Sequence, residues 1–339
     1  MDWTNALASL ASGEDLTRAE AKGAMTAIMA GEATDAQIAA FIVSLRIKGE
    51  TTVELTGLVE AMREASIKVQ VDGPSVDLVG TGGDRSGSFN ISTTAALVAS
   101  AAGVQIAKHG NRSASSKAGS ADVLEALGYP LDLAPGATKE MAEEHGFGFF
   151  FARQYHPSMR HAGPVRSQLG IPTVFNFLGP LTNPSSPARY AIGVSDAAMA
   201  GKMIHVLKTL GAESAFVYRG EDGLDELSTS GPSVIHRLKD GEITQAEFTP
   251  EDFGVERASV ADVQGGDVDV NAQILRDVLG GTLGPKRDIA VINASAAVVL
   301  SGLADGFERG VVLAQEAIDS GAATAKLEEV IEAAQALGN

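Results

Sequence analysis

The chain has 339 residues, room for two domains, and its 45% hydrophobic and 20% charged content excludes wholesale disorder. Lys and Arg number 26 against 43 Asp and Glu, so the net charge of −17 excludes binding to bulk nucleic acid or an anionic membrane unless positive groups gather in one local site. With no cysteine, disulfides, thiolate metal sites and cysteine nucleophiles are also excluded, in keeping with a reducing compartment.

The opening, MDWTNALASLASGEDL, has no basic leader-like region, and no apolar run approaches membrane-spanning length, so a soluble cytoplasmic protein is expected. Residues 1–70 read as consecutive helices. Three capping boxes follow one another, Thr17 with Glu20, Thr34 with Gln37 and Thr51 with Glu54, each opening a run of helical apolar periodicity. Short linkers predict antiparallel neighbours, and so small a unit must lean on the rest of the chain or on a second copy. After Asp72-Gly73-Pro74 the pattern becomes alternating strand and helix. Strands are predicted at Val76–Val79, Val104–Ala107, Phe147–Phe151, Ala191–Val194 and Ala215–Tyr218, and helices at Ile91–Ala102 and Asp122–Leu127. Alternation of this kind predicts an α/β fold with a largely parallel sheet. Residues 155–185 are helical but broken by five prolines, which suggests a crossing between domains. Val234–Leu238 and Ile243–Phe248 flank an Asp240-Gly241 turn and predict an antiparallel hairpin. From about Asn271 the chain is helical and ends in a Glu/Ala-rich helix expected to be exposed.

Four stretches carry chemistry. Gly80-Thr81-Gly82-Gly83-Asp84, followed by Ser88 and Asn90-Ile91-Ser92-Thr93, runs from a strand through glycines into a helix start, which suits an anion. It is neither G-x-G-x-x-G nor a P-loop, and a plain capped turn is the alternative. Lys108-His109-Gly110-Asn111-Arg112-Ser113-Ala114-Ser115-Ser116 offers two fixed cations, an amide and hydroxyls beyond the next strand, the donors a phosphate needs. Asp225 and Glu226 lie just past a further strand, where a hard cation such as Mg²⁺ or plain solvation both account for them. Arg153, His156, Arg160, His161 and Arg166 form a basic run leading to Asn176–Pro184, either a second anion pocket or the neutralisation of an acidic interface. Ligands of open α/β sheets sit beyond the carboxyl ends of strands, so the first two loops are expected to share one crevice. Together the four describe an enzyme that handles a phosphorylated sugar or nucleotide with a Mg²⁺-bound leaving group.

In content and order these motifs, with Gly119-Ser120-Ala121-Asp122 and the run to Gly128, resemble the anthranilate phosphoribosyltransferase family over nearly the whole chain. The resemblance implies a small N-terminal helical domain (1–70, joined by helices from about 155–185) and a large α/β domain (71–339) with a mostly parallel central sheet. It implies a homodimer formed through the helical domain. It also implies transfer of the phosphoribosyl group of 5-phosphoribosyl-1-pyrophosphate (PRPP) to the amine of anthranilate, with Mg²⁺, in tryptophan biosynthesis. By that likeness Gly80, Gly83, Asp84, Ser88, Asn90 to Thr93, Lys108 to Ser116 and Ser120 hold the donor. Ser92, Asp225 and Glu226 hold Mg²⁺, Gly80, Asn111 and Arg166 contact anthranilate, and Lys108, Asp225 and Glu226 serve the chemistry. Pro172 stands where many members carry arginine, so no basic contact is expected there. A pyrimidine nucleoside phosphorylase is the nearest alternative; it would use inorganic phosphate and need no Asp225-Glu226 pair.

Overall fold

The computed structural model describes residues 1–113 and 117–338. The chain opens with helices α1 (Trp3–Ala11), α2 (Arg18–Ala30), α3 (Asp35–Lys48) and α4 (Thr52–Glu64). All three predicted capping boxes form. The third reaches further than its own helix: buried Glu54 also accepts from the Leu16 N–H at 2.9 Å and the Lys48 ammonium at 2.9 Å.

Then follow β1 (Val76–Gly80), α5 (Ile91–Ala101), β2 (Ile106–Gly110), α6 (Ser120–Ala126), α7 (Pro135–Glu144) and β3 (Phe147–Phe151). Short helices α8 (Ala152–Tyr155), α9 (Gly163–Leu169) and α10 (Phe175–Leu178) carry the proline-broken crossing. The chain continues through β4 (Arg189–Gly193), α11 (Ala197–Thr209), β5 (Ser214–Gly220), β6 (Ser233–Lys239) and β7 (Glu242–Phe248). It ends with α12 (Val268–Leu279), α13 (Pro285–Ser301), α14 (Phe307–Asp319) and α15 (Ala322–Gly338).

Among the described residues seven strands form one sheet in the order β3-β2-β1-β4-β5-β6-β7, parallel through β5 and antiparallel over β6 and β7. Asp240 (φ 52°) and Gly241 (φ 76°) are both left-handed, as a two-residue hairpin turn of this hand requires. The winding direction reverses between β1 and β4, where Gly80 and Gly193 pair in register at the carboxyl ends. A crevice opens at such a point because the following connections leave in opposite directions.

Side chains alternate across the sheet. Phe216 and Tyr218 join a core with α5 and α13, whereas Ala215 and Val217 face the other core. That second core merges α1–α4, residues of the 157–181 crossing, α11 and one sheet face, so the small helical unit does lean on the rest of the chain. Arg63 on α4 bridges the layers by donating to the Leu181 carbonyl at 2.8 Å and the Tyr190 hydroxyl at 3.0 Å.

Beyond shifts of a residue or two at strand ends, the structure departs from the sequence expectation at β2, α6 and α15. Strand β2 starts and ends later, so Lys108 and His109 belong to the strand and are buried; its pairing of Ile106–Gly110 with Phe147–Phe151 sets the register, and internal partners take the Lys108 ammonium and His109 Nδ1 but not His109 Nε2. Helix α6 starts at Ser120 rather than Asp122. Helix α15 is exposed on one face only: Ala323, Leu327, Val330 and Ala334 are buried against the core, a helical stripe that high Glu and Ala content disguised.

Candidate active site

A cleft of about 1150 Å³ occupies the switch point. It is lined by Gly80, Gly83, Asp84, Ser88, Asn90, Ile91, Ser92, Thr93, Lys108, His109, Gly110, Asn111, Arg112, Ser113, Ser120, Arg166, Asp225 and Glu226. Ala114, Ser115 and Ser116 lie outside the described residues. Pro172 and His161 do not line it; the His161 ring lies against Gly31 at the end of α2.

The acidic doublet is no solvated turn, since Asp225 is 8% and Glu226 6% exposed. Its loop crosses the tips of β1 and β4, and the two register-paired glycines make room for it. A Cβ on Gly193 would stand 1.7 Å from the Asp225 carbonyl oxygen, and one on Gly80 2.4 Å from its Oδ2. Asp225 Oδ2 accepts the Gly82 N–H at 2.6 Å, and Glu226 Oε1 accepts the Ser92 N–H at 3.1 Å, at the start of α5. From below, buried Asn293 of α13 both accepts the Leu227 N–H and donates to the Leu227 carbonyl, each at 2.9 Å.

Glu226 Oε2 is buried and has no partner among the described residues. Burial raises both carboxyl groups, reinforced for Asp225 by Asp84 and for Glu226 by Asp225. Two adjacent carboxylates in so dry a place call for a cation. Hard oxygen donors suit Mg²⁺, and no cluster of three or more acidic or histidine ligands occurs among the described residues. Asp84, whose carboxyl adjoins Asp225, together with hydroxyls, water and substrate oxygens could supply the remaining ligands, the usual manner of this ion. Gly193→Ala is expected to push the doublet out of place, lowering Mg²⁺-dependent activity at least about tenfold. Activity titrated against Mg²⁺ checks this, and an unchanged curve would contradict it.

Lys108 is 1% exposed; its ammonium donates to the Leu78 carbonyl and to Ser92 Oγ, the latter at 3.3 Å. Burial lowers its pKa, while Asp77 and Glu226 oppose the shift. Asp77, buried and pushed up to about 6, accepts the His109 N–H at 3.0 Å and the Asn183 Nδ2–H at 2.8 Å. Asn183 also donates to the Ala107 carbonyl at 2.8 Å, so it clamps the end of β2 to the crossing segment. Arg112 is less available than its charge suggests, because Asp122 and Glu125 of α6 both bind its guanidinium at 2.7 Å.

In the same cleft, Arg166 of α9 lies with its guanidinium carbon 5.0 Å from the centre of the Phe175 ring. It is largely buried, burial lowers its pKa, and no carboxylate among the described residues pairs with it. A planar cation set over an aromatic ring and left without a counterion has the charge and donor geometry to receive a carboxylate. Arg153 and Arg160 line the same cleft.

His109 and His156 face each other with ring centres 5.2 Å apart. The Gly179 carbonyl, 3.1 Å from His109 Nδ1, can only accept, so Nδ1 carries the proton. Burial depresses His109 to about 3 and His156 to about 4, leaving both neutral near pH 7. A depressed histidine means the unfolded chain binds more protons, so this contribution is whole above about pH 6.5 and is lost as pH falls toward 4. Raised carboxyl groups such as Asp77 act in the opposite sense, so a comparison of variants isolates the histidine. His156→Gln is expected to flatten the fall of unfolding free energy between pH 6.5 and pH 4 by up to about 1.4 kcal/mol per pH unit. Denaturant titrations across that range measure it; parallel curves would contradict it.

Asp77, Asn183, Asn271 and Asn293 escaped the sequence reading as working residues. Asp77 and Asn293 carry one signal, a polar side chain inside an apolar run, whereas Asn183 and Asn271 sit in polar sequence that does not mark them.

Fold and site together define a glycosyl transferase built from a helical bundle and an α/β domain. Two family models match accordingly, "Glycosyl transferase family, helical bundle domain" over residues 4–66 and "Glycosyl transferase family, a/b domain" over residues 72–324. The anthranilate phosphoribosyltransferase of Parvibaculum lavamentivorans is 47% identical, covering 100% of this chain and 99% of its own. The crystal structure of the Thermus thermophilus enzyme of that name superposes with a TM-score of 0.92 at 43% identity, covering 97% of this chain and 99% of its own. The Saccharomyces cerevisiae enzyme, solved in complex with PRPP and Mg, gives a TM-score of 0.90 at 27% identity over 98% of both chains. The chain belongs to the anthranilate phosphoribosyltransferase family.

Proposed function

We propose that the protein transfers the phosphoribosyl group of PRPP to the amine of anthranilate, releasing pyrophosphate, in tryptophan biosynthesis. The observation that carries this reading is the meeting of two anion loops, a buried carboxylate pair with an orphaned oxygen, and an unpaired arginine in one cleft. Family membership supports it, as does a yeast relative solved with 4-fluoroanthranilate.

Gly80, Gly83, Asp84, Ser88, Asn90 to Thr93, Lys108 to Ser116 and Ser120 hold the donor. Asp225 and Glu226, with the Ser92 hydroxyl, would hold Mg²⁺, which when bound supplies positive charge to the oxygens of the pyrophosphate group. The bond from ribose C1 to the pyrophosphate oxygen breaks with its electron pair going to pyrophosphate. The amine nitrogen then bonds to C1, and its proton leaves to solvent. Backbone N–H groups of the glycine loop meet the growing negative charge, and the buried Lys108 ammonium adds positive potential from behind Ser92. Arg166 takes the anthranilate carboxylate, with Gly80 and Asn111 beside the ring. Anthranilate's amine is neutral near pH 7, so holding it against C1 matters more than a strong base.

We also propose a division into a helical unit, residues 1–70 joined by about 155–185, and a donor-binding unit, residues 71–339. Pairing of two copies through the helical unit is supported by exposed Ile47 (82%) and Val53 (52%), apolar side chains that the chain itself leaves uncovered. A cytoplasmic location agrees with the absence of cysteine and, among the described residues, of a helix long and apolar enough to cross a membrane.

Loss of anthranilate fluorescence on adding PRPP and Mg²⁺, with pyrophosphate released in equal amount, tests the activity. Phosphate-dependent cleavage of a pyrimidine nucleoside without that turnover would favour the phosphorylase reading instead.

A further inference from the structure

The glycine-rich loop is braced from outside by the chain entering α12. The Phe89 N–H donates to the Val263 carbonyl at 3.1 Å, the Gly265 N–H to the Gly87 carbonyl at 2.9 Å, and Ser88 forms a bridge with Gln264. The fit is tight, since a Cβ on Gly265 would stand 2.4 Å from Asn271 Oδ1 and 2.8 Å from the Phe89 Cα. Asn271, on the first turn of α12, is 2% exposed and reaches the cleft. Its Oδ1 accepts the Gly266 N–H at 2.8 Å, and its Nδ2 donates to Asn90 Oδ1 at 3.0 Å. Asn90 Nδ2 in turn donates to the Ala118 carbonyl at 3.2 Å.

This relay has one sense. An amide N–H at one end can only donate and a carbonyl at the other can only accept, so both carboxamides between them have their orientation dictated. The relay also joins three segments distant in sequence: the entry to α12, the end of the glycine-rich loop at Asn90, and Ala118 just before Ser120 on the cleft lining.

We propose that Asn271 is a positioning residue for the phosphoribosyl donor. Acting through Asn90, it holds the glycine-rich loop at one fixed spacing from Ala118 and Ser120 across the donor side of the cleft. The inference rests on the reading that these loops bind PRPP.

Asn271→Asp tests it with little change of shape. The aspartate still accepts from Gly266 but turns an oxygen toward Asn90 Oδ1. Asn90 must then reverse its carboxamide and surrender the bond to Ala118. Asn271→Ala removes the relay without adding charge, and serves if the aspartate variant unfolds. Binding of PRPP in the presence of Mg²⁺ is measured by calorimetry, beside steady-state constants for both substrates and thermal melts. For either variant the expected result is a Kd and KM for PRPP raised about three- to tenfold, the reach of one lost hydrogen bond. The KM for anthranilate should rise less than that for PRPP, as Arg166, which takes its carboxylate, stands on α9 outside the relay. If PRPP affinity is unchanged in both variants, or if both substrates weaken equally, the inference is overturned. If the unaltered protein itself binds no PRPP, the functional reading fails, a result separate from any comparison of variants.

Discussion

Glu226→Gln is expected to raise the Mg²⁺ concentration for half-maximal activity by roughly ten- to a hundredfold, the scale on which groups around a catalytic metal act. The glutamine carbonyl still accepts the Ser92 N–H, so the start of α5 keeps its geometry. What disappears is the charge at Oε2, the oxygen that has no partner among the described residues. The same variant should be at least as stable as the unaltered protein without Mg²⁺ at pH 8. Glu226 has its pKa raised well above the ordinary carboxylate value, so its contribution to stability is present at low pH and lost as pH rises through the folded pKa. Glutamine removes that loss. Activity against Mg²⁺ concentration, with denaturation in the presence of a chelator, measures both halves; an unshifted Mg²⁺ curve would remove Glu226 from the metal site. Asp225→Asn should shift Mg²⁺ dependence in the same direction.

Arg166→Ala is expected to weaken anthranilate binding by about 1.5–3 kcal/mol, the range for hydrogen bonds to a charged group. The KM for PRPP should scarcely move. Arg166→Lys should recover only part of the loss, because an ammonium keeps the charge but loses the planar fork set over Phe175. A KM effect falling mainly on PRPP would move Arg166 out of the acceptor pocket. Stability should not suffer from removing a buried cation that no carboxylate compensates, so melts taken beside the kinetics separate lost recognition from lost structure.

Much of the architecture was legible before folding. The three threonine boxes announced α2, α3 and α4 because a cap is a local device, complete within four residues. The hairpin was legible for the same reason, since Asp240-Gly241 meets the turn's demand for two left-handed residues. Boundaries set by pairing were less so. Lys108 and His109 look like loop residues until β3 takes them into register, and α15 looks exposed until its alanine and leucine stripe finds the core.

The candidate site divides along the same line. Glycine runs, cationic loops and the Asp225-Glu226 doublet are chemistry concentrated in a few adjacent residues, and the sequence alone determined their composition, the parallel α/β class and the family. Only the tertiary structure decided which of those groups face inward. It sent Arg112 to two carboxylates of α6, set Lys108 behind Ser92, and left Arg166 unpaired over a ring. It also brought Asp77 to Asn183, Asn90 to Asn271 and Leu227 to Asn293. The reason is that a cap or turn stabilises itself with neighbours in the chain, whereas a buried polar group is satisfied by whatever the packing of distant elements delivers.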